Sequence, residues 1–366
     1  AFSKKNRKQK TENRKQKTAF MEPPILVRSR PHLMTIVLNR PQVLNTLNLE
    51  MVRLLRRALE EALSQDRIRL VVLTGAGDRA FSAGGDLKAA AQAVKAGAYE
   101  QVEKFFREEY ALDLFIHHYP KPLLALAHAI IMGGGLGLAA GMDLTVVTER
   151  TRMGMPETHI GFFPDVGATG WLFDRCPRGY PEFLALTGYE MVGSECLRLG
   201  LAHLLVRWER RGELLETLER LAERVPVDKK EAVGHLRDCL APLSETAITP
   251  NPEMDAWVAR NFAGKASVGE ILASLSKCAP VDKLCREALQ RLSGVSPTAL
   301  ALTITLLRRH EGRGLREVFA AEARAAQFMI RHPDYLEGIR ARILDKDNRP
   351  RWQPFREEDG FPGLAL

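Results

Sequence analysis

The stretch Ile131–Leu138 reads IMGGGLGL and follows the short apolar run LLALA at Leu123–Ala127. Its three consecutive glycines open a segment with the composition of a buried helix. A strand that passes through a glycine turn into a helix leaves N–H groups free at the helix start, where the helix dipole is positive. This geometry favours an anion, either a phosphate or an oxyanion. The spacing is neither GxGxxG nor a turn followed by GK[ST], so it indicates neither a dinucleotide site nor a P-loop.

A second glycine turn occurs earlier in the chain. Ala80–Lys88 (AFSAGGDLK) comes after the apolar, β-branched run Leu70–Thr74 (LVVLT), which is typical of a buried strand. Glycines at 84 and 85 allow the backbone to approach a ligand, and Asp86 can cap a following helix. Taken alone, the segment favours an ordinary turn between a strand and a helix over a binding site.

Two acids stand out in Met155–Gly167 (MPETHIGFFPDVG), a segment that is otherwise apolar and rich in glycine. Glu157 and Asp165 each have two interpretations. A carboxylate in such surroundings is either a helix cap or a group whose pKa is raised to a value suited to proton transfer. The segment alone does not separate these interpretations.

The chain changes character near Trp208. Before it, strand patterns such as Leu33–Leu38 alternate with helical ones such as Leu47–Leu63, which predicts an α/β core over residues 21–206. After it, helical periodicity predominates and residues 207–366 are predicted to be largely helical. The helices predicted there are Leu214–Arg224, Glu253–Phe262, Val281–Leu292 and Leu315–Arg331.

The positive charge belongs to the N-terminal residues 1–20. They hold eight Lys/Arg and one Glu, and so contribute +7 to the net charge of +8. The sequence NRKQKT occurs twice there, at Asn6–Thr11 and Asn13–Thr18. With few apolar residues to bury, this tail is predicted to be disordered. Three interpretations stay open: an artefact ahead of Met21, a native basic arm, or a targeting peptide.

Five scattered cysteines form no CxxC pair and have no histidine at metal-ligand spacing. We therefore expect reduced thiols and no metal site. No apolar run approaches the roughly 18 residues needed to span a bilayer. The predicted location is the cytoplasm, or the mitochondrial matrix if the source is eukaryotic.

The two glycine turns, together with the downstream Pro-Glu pair, resemble the crotonase superfamily of enoyl-CoA hydratases, isomerases and their relatives. Asn39–Asn48 (NRPQVLNTLN) also matches the N-terminal motif of that family. The resemblance implies a ClpP-like spiral of ββα units. It further implies that the N–H groups of Gly85 and Gly134 form an oxyanion hole for the carbonyl of an acyl-CoA thioester.

Within this superfamily the chain is most similar to the 3-hydroxyisobutyryl-CoA hydrolases. Hydratases carry a second glutamate at the position of Gly137, whereas the segment MPETHIGFFPDVG is typical of the hydrolases. Three further hydrolase motifs are FFREEY at Phe105–Tyr110, SPTAL at Ser296–Leu300 and EGIRARIL at Glu337–Leu344. Two departures, LAAGMDL at Leu138–Leu144 and Ala168 in place of a glycine, affect the predicted acyl specificity.

The resemblance implies hydrolysis of 3-hydroxyisobutyryl-CoA to 3-hydroxyisobutyrate and CoA, a step of valine catabolism. It implies no metal and no cofactor, since CoA is part of the substrate. Glu157 and Asp165 would be the catalytic residues. The substrate-binding residues would be Glu109, Gly84, Asp86, Leu87 and Gly133.

Two other functions stay open. One is an enoyl-CoA hydratase or isomerase that uses Glu157 alone. The other is a non-catalytic crotonase-fold protein that binds RNA or a partner through the basic tail, although a nucleic-acid partner is not expected. The assembly is predicted to be a monomer or a homo-oligomer, with a trimer as one option.

Overall fold

The computed structural model describes residues 22–245, 248–356, 358 and 360–364. The predicted basic tail lies outside these residues. The larger of two sheets has six strands in the order β1-β2-β3-β5-β7-β10. Its first two strands are antiparallel and the remaining neighbours are parallel. These strands are Ile25–Ser29 (β1), Leu33–Leu38 (β2), Leu70–Gly75 (β3), Leu123–Leu126 (β5), Leu144–Val147 (β7) and Leu204–Leu205 (β10).

A smaller sheet has the order β4-β6-β8-β9. Each of its first three strands directly follows a strand of the larger sheet, so the chain repeats a β-β-helix unit along a spiral. This is the α/β spiral that the sequence predicts. The strands are Ala80–Ser82 (β4), Ile130–Met132 (β6), Arg152–Gly154 (β8) and Met191–Val192 (β9).

Helices cover both faces of the large sheet, which explains why its central strands are continuous apolar runs. The first begins where the Asn48 side chain accepts a hydrogen bond from the N–H of Met51. The helices of this half are Leu49–Ser64 (α1), Leu87–Lys95 (α2), Tyr99–His117 (α3), Gly134–Ala140 (α4), Ala168–Arg175 (α5), Tyr180–Thr187 (α6) and Glu195–Arg198 (α7), with 3₁₀ turns at Pro41–Val43 and Glu157–Ile160.

The rest of the chain is helical, as predicted. All four predicted helices are present. Three that were not predicted lie between them, at 229–240, 268–278 and 297–310, and a fourth follows at 333–339. The α-helices are Arg211–Ala222 (α8), Lys229–Leu240 (α9), Pro252–Phe262 (α10), Val268–Cys278 (α11), Lys283–Ser293 (α12), Pro297–His310 (α13), Leu315–Met329 (α14) and Pro333–Ile339 (α15); 3₁₀ turns at Trp208–Arg210 and Ala241–Leu243 and a π-helical turn at Arg340–Leu344 complete the set.

The two halves share one hydrophobic core. Phe183 of α6 packs against Trp257 and Phe262 of α10, and Tyr110 of α3 lies 5.8 Å from Phe319 of α14, between ring centroids. A domain boundary at residue 206 therefore stays a prediction. None of the described helices is long and apolar enough to cross a membrane.

The expectation of reduced thiols is wrong for one pair. Cys278 ends α11 and Cys285 lies in the first turn of α12, and their sulfurs form a disulfide across a Cα–Cα distance of 6.0 Å. Sequence spacing did not reveal the pair because a tight helical hairpin brings the two residues together. Cys176, Cys196 and Cys239 are free.

Candidate active site

The two glycine turns follow the carboxyl ends of neighbouring parallel strands, so they lie at the same end of the small sheet. Strands β4 and β6 are parallel neighbours, with Ser82 opposite Ile131, and each runs directly into its turn. A Cβ atom placed on Gly84, whose φ is +86°, would lie 3.0 Å from the carbonyl oxygen of Met132 and 3.3 Å from the nitrogen of Gly134. Only glycine tolerates both this backbone conformation and this close approach.

The N–H groups at these turns are available. Within the described part of the chain, no hydrogen bond uses the N–H of Gly85 or Gly134 as its donor. The neighbouring donors are occupied, since Gly84 donates to the hydroxyl of Ser82 and Gly133 donates to the carbonyl of Gly154. Two free donors therefore remain at the place where the turns meet.

The segment 39–48 holds the first turn in position. Asn45 is fully buried and donates from Nδ2 to the carbonyls of Ala76 and Ala80 at 3.0 and 2.9 Å. The N–H of Leu47 donates to the carbonyl of Gly84 at 2.8 Å. In the sequence this segment was recognised only as a family motif. The structure shows that it positions the first glycine turn.

Asp86 has two structural partners. Its side chain accepts a hydrogen bond from the N–H of Ala89, which makes it the predicted cap of α2, and it pairs with Arg40 at 3.0 Å. The carboxylate therefore orients the start of the helix. Leu87, the first residue of that helix, follows it at the cavity wall.

A cavity of about 940 Å³ opens beside the turns. All nine residues predicted for the site line it, although they come from four separate segments of the chain. They are Gly84, Gly85, Asp86, Leu87, Glu109, Gly133, Gly134, Glu157 and Asp165. The sequence did not predict the part of the wall that the C-terminal half supplies, which consists of Arg291, Tyr335, Arg342 and Ile343.

Glu157 and Glu109 lie directly against the second glycine turn. A Cβ atom on Gly133 would lie 2.5 Å from Oε1 of Glu157, and one on Gly134 would lie 2.5 Å from Oε1 of Glu109. Both side chains are buried. Oε2 of Glu157 and Oε1 of Glu109 have no hydrogen-bond partner among the described residues. Two buried carboxyls with unused oxygens thus flank the free N–H groups.

Burial dominates the electrostatics of these acids. It raises the pKa of Glu157 well above its usual value, and the charge of Asp165 adds to the effect. The pKa of Glu109 is raised in the same way, by burial and then by Asp113, Asp165 and Glu157. Burial raises the pKa of Asp165 to about 7, against the opposing effect of the hydrogen bond that Tyr110 donates to it at 2.7 Å. Burial therefore favours the protonated form of each acid in this cluster more than water does.

Two further acids of this cluster were missed. Asp113 lies one turn after Glu109 on α3 and is buried, with no partner for either oxygen among the described residues. Glu322 of α14 is also buried and accepts hydrogen bonds from the N–H groups of Gly167 and Thr169. The i, i+4 spacing of Glu109 and Asp113 was a usable signal. Nothing local to Glu322 indicates its position.

The position where hydratases carry their additional glutamate is closed. A Cβ atom on Gly137 would lie 2.6 Å from both Cβ and Cγ2 of Val166. A larger side chain does not fit at 137 unless the segment Asp165–Gly167 moves. Glu157 is therefore the acid that this half of the site can offer to the N–H pair.

Metal ligands do not gather at the cavity. In the described ranges, the only group of His, Cys, Asp and Glu with suitable spacing is Cys278, Asp282 and Cys285. The two sulfurs of this group are already bonded to each other, and none of the three residues lines the cavity.

Comparison with known proteins agrees with this geometry. A family model described as enoyl-CoA hydratase/isomerase matches residues 33–360. The chain belongs to the enoyl-CoA hydratase/isomerase family. This membership confirms the resemblance seen in the sequence.

Curated relatives within the family are named 3-hydroxyisobutyryl-CoA hydrolase, mitochondrial. The protein from Danio rerio is 38% identical over 324 residues, which cover 87% of this chain and 82% of that protein. The protein from Homo sapiens is 35% identical over 323 residues, which cover 87% and 81%.

Two crystal structures show the same fold. A carnitinyl-CoA dehydratase from Mycobacterium thermoresistibile has a TM-score of 0.82 at 30% identity, covering 94% of this chain and 96% of that one. An enoyl-CoA hydratase from Rhodobacter sphaeroides has a TM-score of 0.81 at 33% identity, covering 93% and 95%. The helical C-terminal half is therefore part of an architecture that other members share.

Proposed function

We propose that this family member hydrolyses 3-hydroxyisobutyryl-CoA to 3-hydroxyisobutyrate and CoA. The observation that carries the proposal is the pairing of two free N–H groups with buried Glu157, while Val166 closes the position of a second glutamate at 137. The names of the curated relatives support the same reaction and substrate.

The N–H groups of Gly85 and Gly134 would bind the thioester carbonyl oxygen. Attack on the carbonyl carbon moves negative charge onto that oxygen, and donors fixed in advance stabilise it. Removing one such donor typically costs about 3 kcal/mol of transition-state stabilisation. The donors are held by the backbone, because Leu47 and Ser82 fix the first turn and a strand leads into the second.

Glu157 would act in one of two ways, as the nucleophile or as the base that activates water. In the first, its carboxylate attacks the carbonyl carbon, the C–S bond breaks, CoA leaves as a thiolate that takes up a proton, and water then hydrolyses the acyl anhydride. In the second, Glu157 removes a proton from a water molecule that attacks the carbonyl carbon; the C–S bond then breaks, and CoA leaves as a thiolate that takes up a proton. Both routes need ionised Glu157, whose pKa burial raises.

Two other acids would contact the acyl group. Glu109 lies against Gly134, and we propose that it accepts a hydrogen bond from the substrate hydroxyl. Asp165, with its pKa raised to about 7, would bind the same hydroxyl or relay a proton to the departing thiolate. Gly84, Gly133, Asp86 and Leu87 would form the wall along which the thioester lies.

The proposed reaction needs no metal and no redox group, because every proton transfer is assigned to a side chain or water. CoA enters as part of the substrate. Cytoplasmic or mitochondrial location and the oligomeric state stay predictions; the relatives' names place those proteins in mitochondria.

The first test is CoA thiol release from 3-hydroxyisobutyryl-CoA by the unmutated protein and by Glu157→Gln. We expect rapid release by the former and a loss of at least about 10³-fold in kcat for the variant, because the amide neither attacks nor takes up a proton. Glu190→Gln is the control and should retain release, because Glu190 lines the cavity but is partly exposed and pairs with Arg152. Equal rates for Glu157→Gln and the unmutated protein would refute the role of Glu157.

A second experiment separates the two routes. Hydroxylamine added during turnover intercepts an acyl anhydride and yields the acyl hydroxamate. Hydroxamate that forms in proportion to enzyme turnover would establish covalent attack by Glu157. Its absence, with thiol release intact, would favour the activated-water route.

The alternative is an enoyl-CoA hydratase or isomerase that uses Glu157 alone. The crystal structures with TM-scores of 0.82 and 0.81, a dehydratase and a hydratase, favour it. An assay with crotonyl-CoA in parallel decides between the two functions. Loss of the enoyl absorbance without thiol release would support the hydratase or isomerase and refute the hydrolase. Binding of RNA through residues 1–20 lies outside the described residues and stays a separate hypothesis.

A further inference from the structure

Tyr335 of α15 is the most deeply buried side chain that the C-terminal half contributes to the cavity wall. It is 1% exposed and lines the cavity together with Glu109, Glu157 and Asp165. Its hydroxyl is buried and has no hydrogen-bond partner among the described residues. A buried hydroxyl without a partner costs about 1–3 kcal/mol unless a ligand satisfies it.

The backbone that carries Tyr335 is held tightly against the site. Ser296 donates to one carboxylate oxygen of Asp334 at 2.5 Å, and the N–H of Gln353 donates to the other at 2.8 Å. A Cβ atom on Gly161 would lie 2.9 Å from the nitrogen of Tyr335, so this helix start packs directly on the turn that begins with Glu157. These contacts set the position of the Tyr335 backbone relative to the turn.

The surroundings of Tyr335 restrict what its hydroxyl can do. Its ring lies 5.5 Å from that of Phe162, between centroids, in the apolar wall. Burial raises the pKa of Tyr335, and the charges of Asp165 and Glu109 raise it further. The group consequently stays a neutral O–H, which can donate to a ligand oxygen in the same region of the cavity.

We infer that Tyr335 is a specificity-determining residue whose hydroxyl donates a hydrogen bond to the hydroxyl oxygen on the acyl group of the substrate. The inference rests on the proposed function. In this arrangement the substrate hydroxyl accepts from Tyr335 and donates to Oε1 of Glu109, which also has no partner among the described residues. The hydroxyl of Tyr335 and Oε1 of Glu109 then each gain a hydrogen-bond partner. A substrate without the hydroxyl would leave both unsatisfied.

The test compares 3-hydroxyisobutyryl-CoA with isobutyryl-CoA, which lacks only the hydroxyl, for the unmutated protein and Tyr335→Phe. The quantity measured is the ratio of kcat/KM for the two esters. We expect the preference for the hydroxylated ester to fall about tenfold in Tyr335→Phe, the usual effect of one lost hydrogen bond. An unchanged ratio, whether both rates fall or neither does, would overturn the inference.

Tyr119→Phe is the matched control. Tyr119 is equally buried, but its hydroxyl donates to the carbonyl of Leu59 at 2.7 Å, away from the cavity. This variant should unfold at a temperature a few degrees lower and keep the ester ratio. Tyr335→Phe removes an unsatisfied group and should unfold at the same temperature or higher.

A binding measurement keeps the inference separate from the proposed function. In Glu157→Gln protein, calorimetry with the same two esters gives their affinity ratio with and without Tyr335→Phe. If the unmutated protein releases no CoA, the hydrolase proposal fails, and this ratio still decides the role of Tyr335. A ratio unaffected by Tyr335→Phe would overturn it.

Discussion

Buried carboxyls occur in two places in this molecule, and the two places differ in whether a cation lies beside the acid. In and beside the cavity, Oε1 of Glu109, Oε2 of Glu157 and both carboxylate oxygens of Asp113 lack hydrogen-bond partners among the described residues, and burial raises the pKa of all three acids. Between α6 and α13, Glu182 is equally buried and its Oε2 also has no hydrogen-bond partner among those residues, but its Oε1 contacts the guanidinium of Arg308 and accepts from the N–H of Gly264. What separates the two places is the cation beside Glu182.

The difference shows which buried acids serve the fold and which are free for chemistry. A buried charge with a cationic partner depends on that partner and has no reason to exchange protons. A buried carboxyl without one has a raised pKa, which moves its proton exchange toward neutral pH. The following variants test this contrast.

Arg308→Met should have the largest effect. It leaves Glu182 buried without its cation, so we expect the free energy of unfolding to fall by about 3 kcal/mol. CoA release per folded molecule should be unchanged, because Arg308 does not line the cavity. Urea denaturation at pH 7 measures the first quantity and a thiol assay the second.

Two controls accompany Arg308→Met. Adding Glu182→Gln should restore part of the lost stability, since the uncompensated charge disappears. Glu311→Gln removes only the exposed partner of Arg308 and should cost less than about 0.5 kcal/mol. Equal losses in Arg308→Met and Glu311→Gln would show that Glu182 does not depend on the pair.

Asp113→Asn should have an intermediate effect that depends on pH. The folded protein holds the proton of Asp113 more tightly than the unfolded chain does, because burial and then the charges of Asp165 and Glu322 raise its pKa. The resulting destabilisation is absent below pH 4 and grows with pH, by at most about 1.4 kcal/mol per unit, up to the folded pKa. Asn removes this term, so the variant should match the unmutated protein at pH 4 and exceed its stability at pH 8.

Denaturant unfolding at a series of pH values checks this prediction. Asp174→Asn, at an exposed position of α5, should shift stability little and equally at each pH. If the stability of Asp113→Asn runs parallel to that of the unmutated protein across the range, Asp113 ionises normally in the folded state.

Tyr110→Phe should have the smallest effect. The hydrogen bond from Tyr110 lowers the pKa of Asp165, so its loss should raise that pKa above about 7. Since attack by Glu157 requires that the cluster release its protons, the acid limb of kcat/KM should move to higher pH, by up to about one unit. Tyr119→Phe is the control. If the acid limb of the pH profile of kcat/KM does not move, Asp165 does not contribute to that profile.

Much of the fold was accessible from local patterns. The strands at 33–38, 70–75 and 123–126 were predicted within a residue or so, because buried parallel strands are apolar throughout. Four helices of the C-terminal half were missed, at 229–240, 268–278, 297–310 and 333–339. Their buried residues pack against elements distant in the chain, and local periodicity does not report such packing.

The site residues that lie in short contiguous motifs could be predicted from the sequence. The two glycine turns and Glu157 with Asp165 were identified from short segments, and all of them line the cavity. Asp113 was missed although its i, i+4 spacing from Glu109 was visible in the sequence. Glu322 and Tyr335 were missed because a buried acid and a buried tyrosine look like ordinary helical residues until their neighbours are known.

The sequence by itself determined the ββα alternation, the glycines that only a tight strand-to-helix turn requires, and the family to which the chain belongs. Tertiary structure alone decided which acids share one cavity, that Glu182 lies beside a cation instead, and that Tyr335 and Glu109 line the same cavity although more than 200 residues of chain separate them. The physical reason is that strand and turn preferences act between near neighbours. Burial, pKa and hydrogen-bond satisfaction depend on every group that folding brings near.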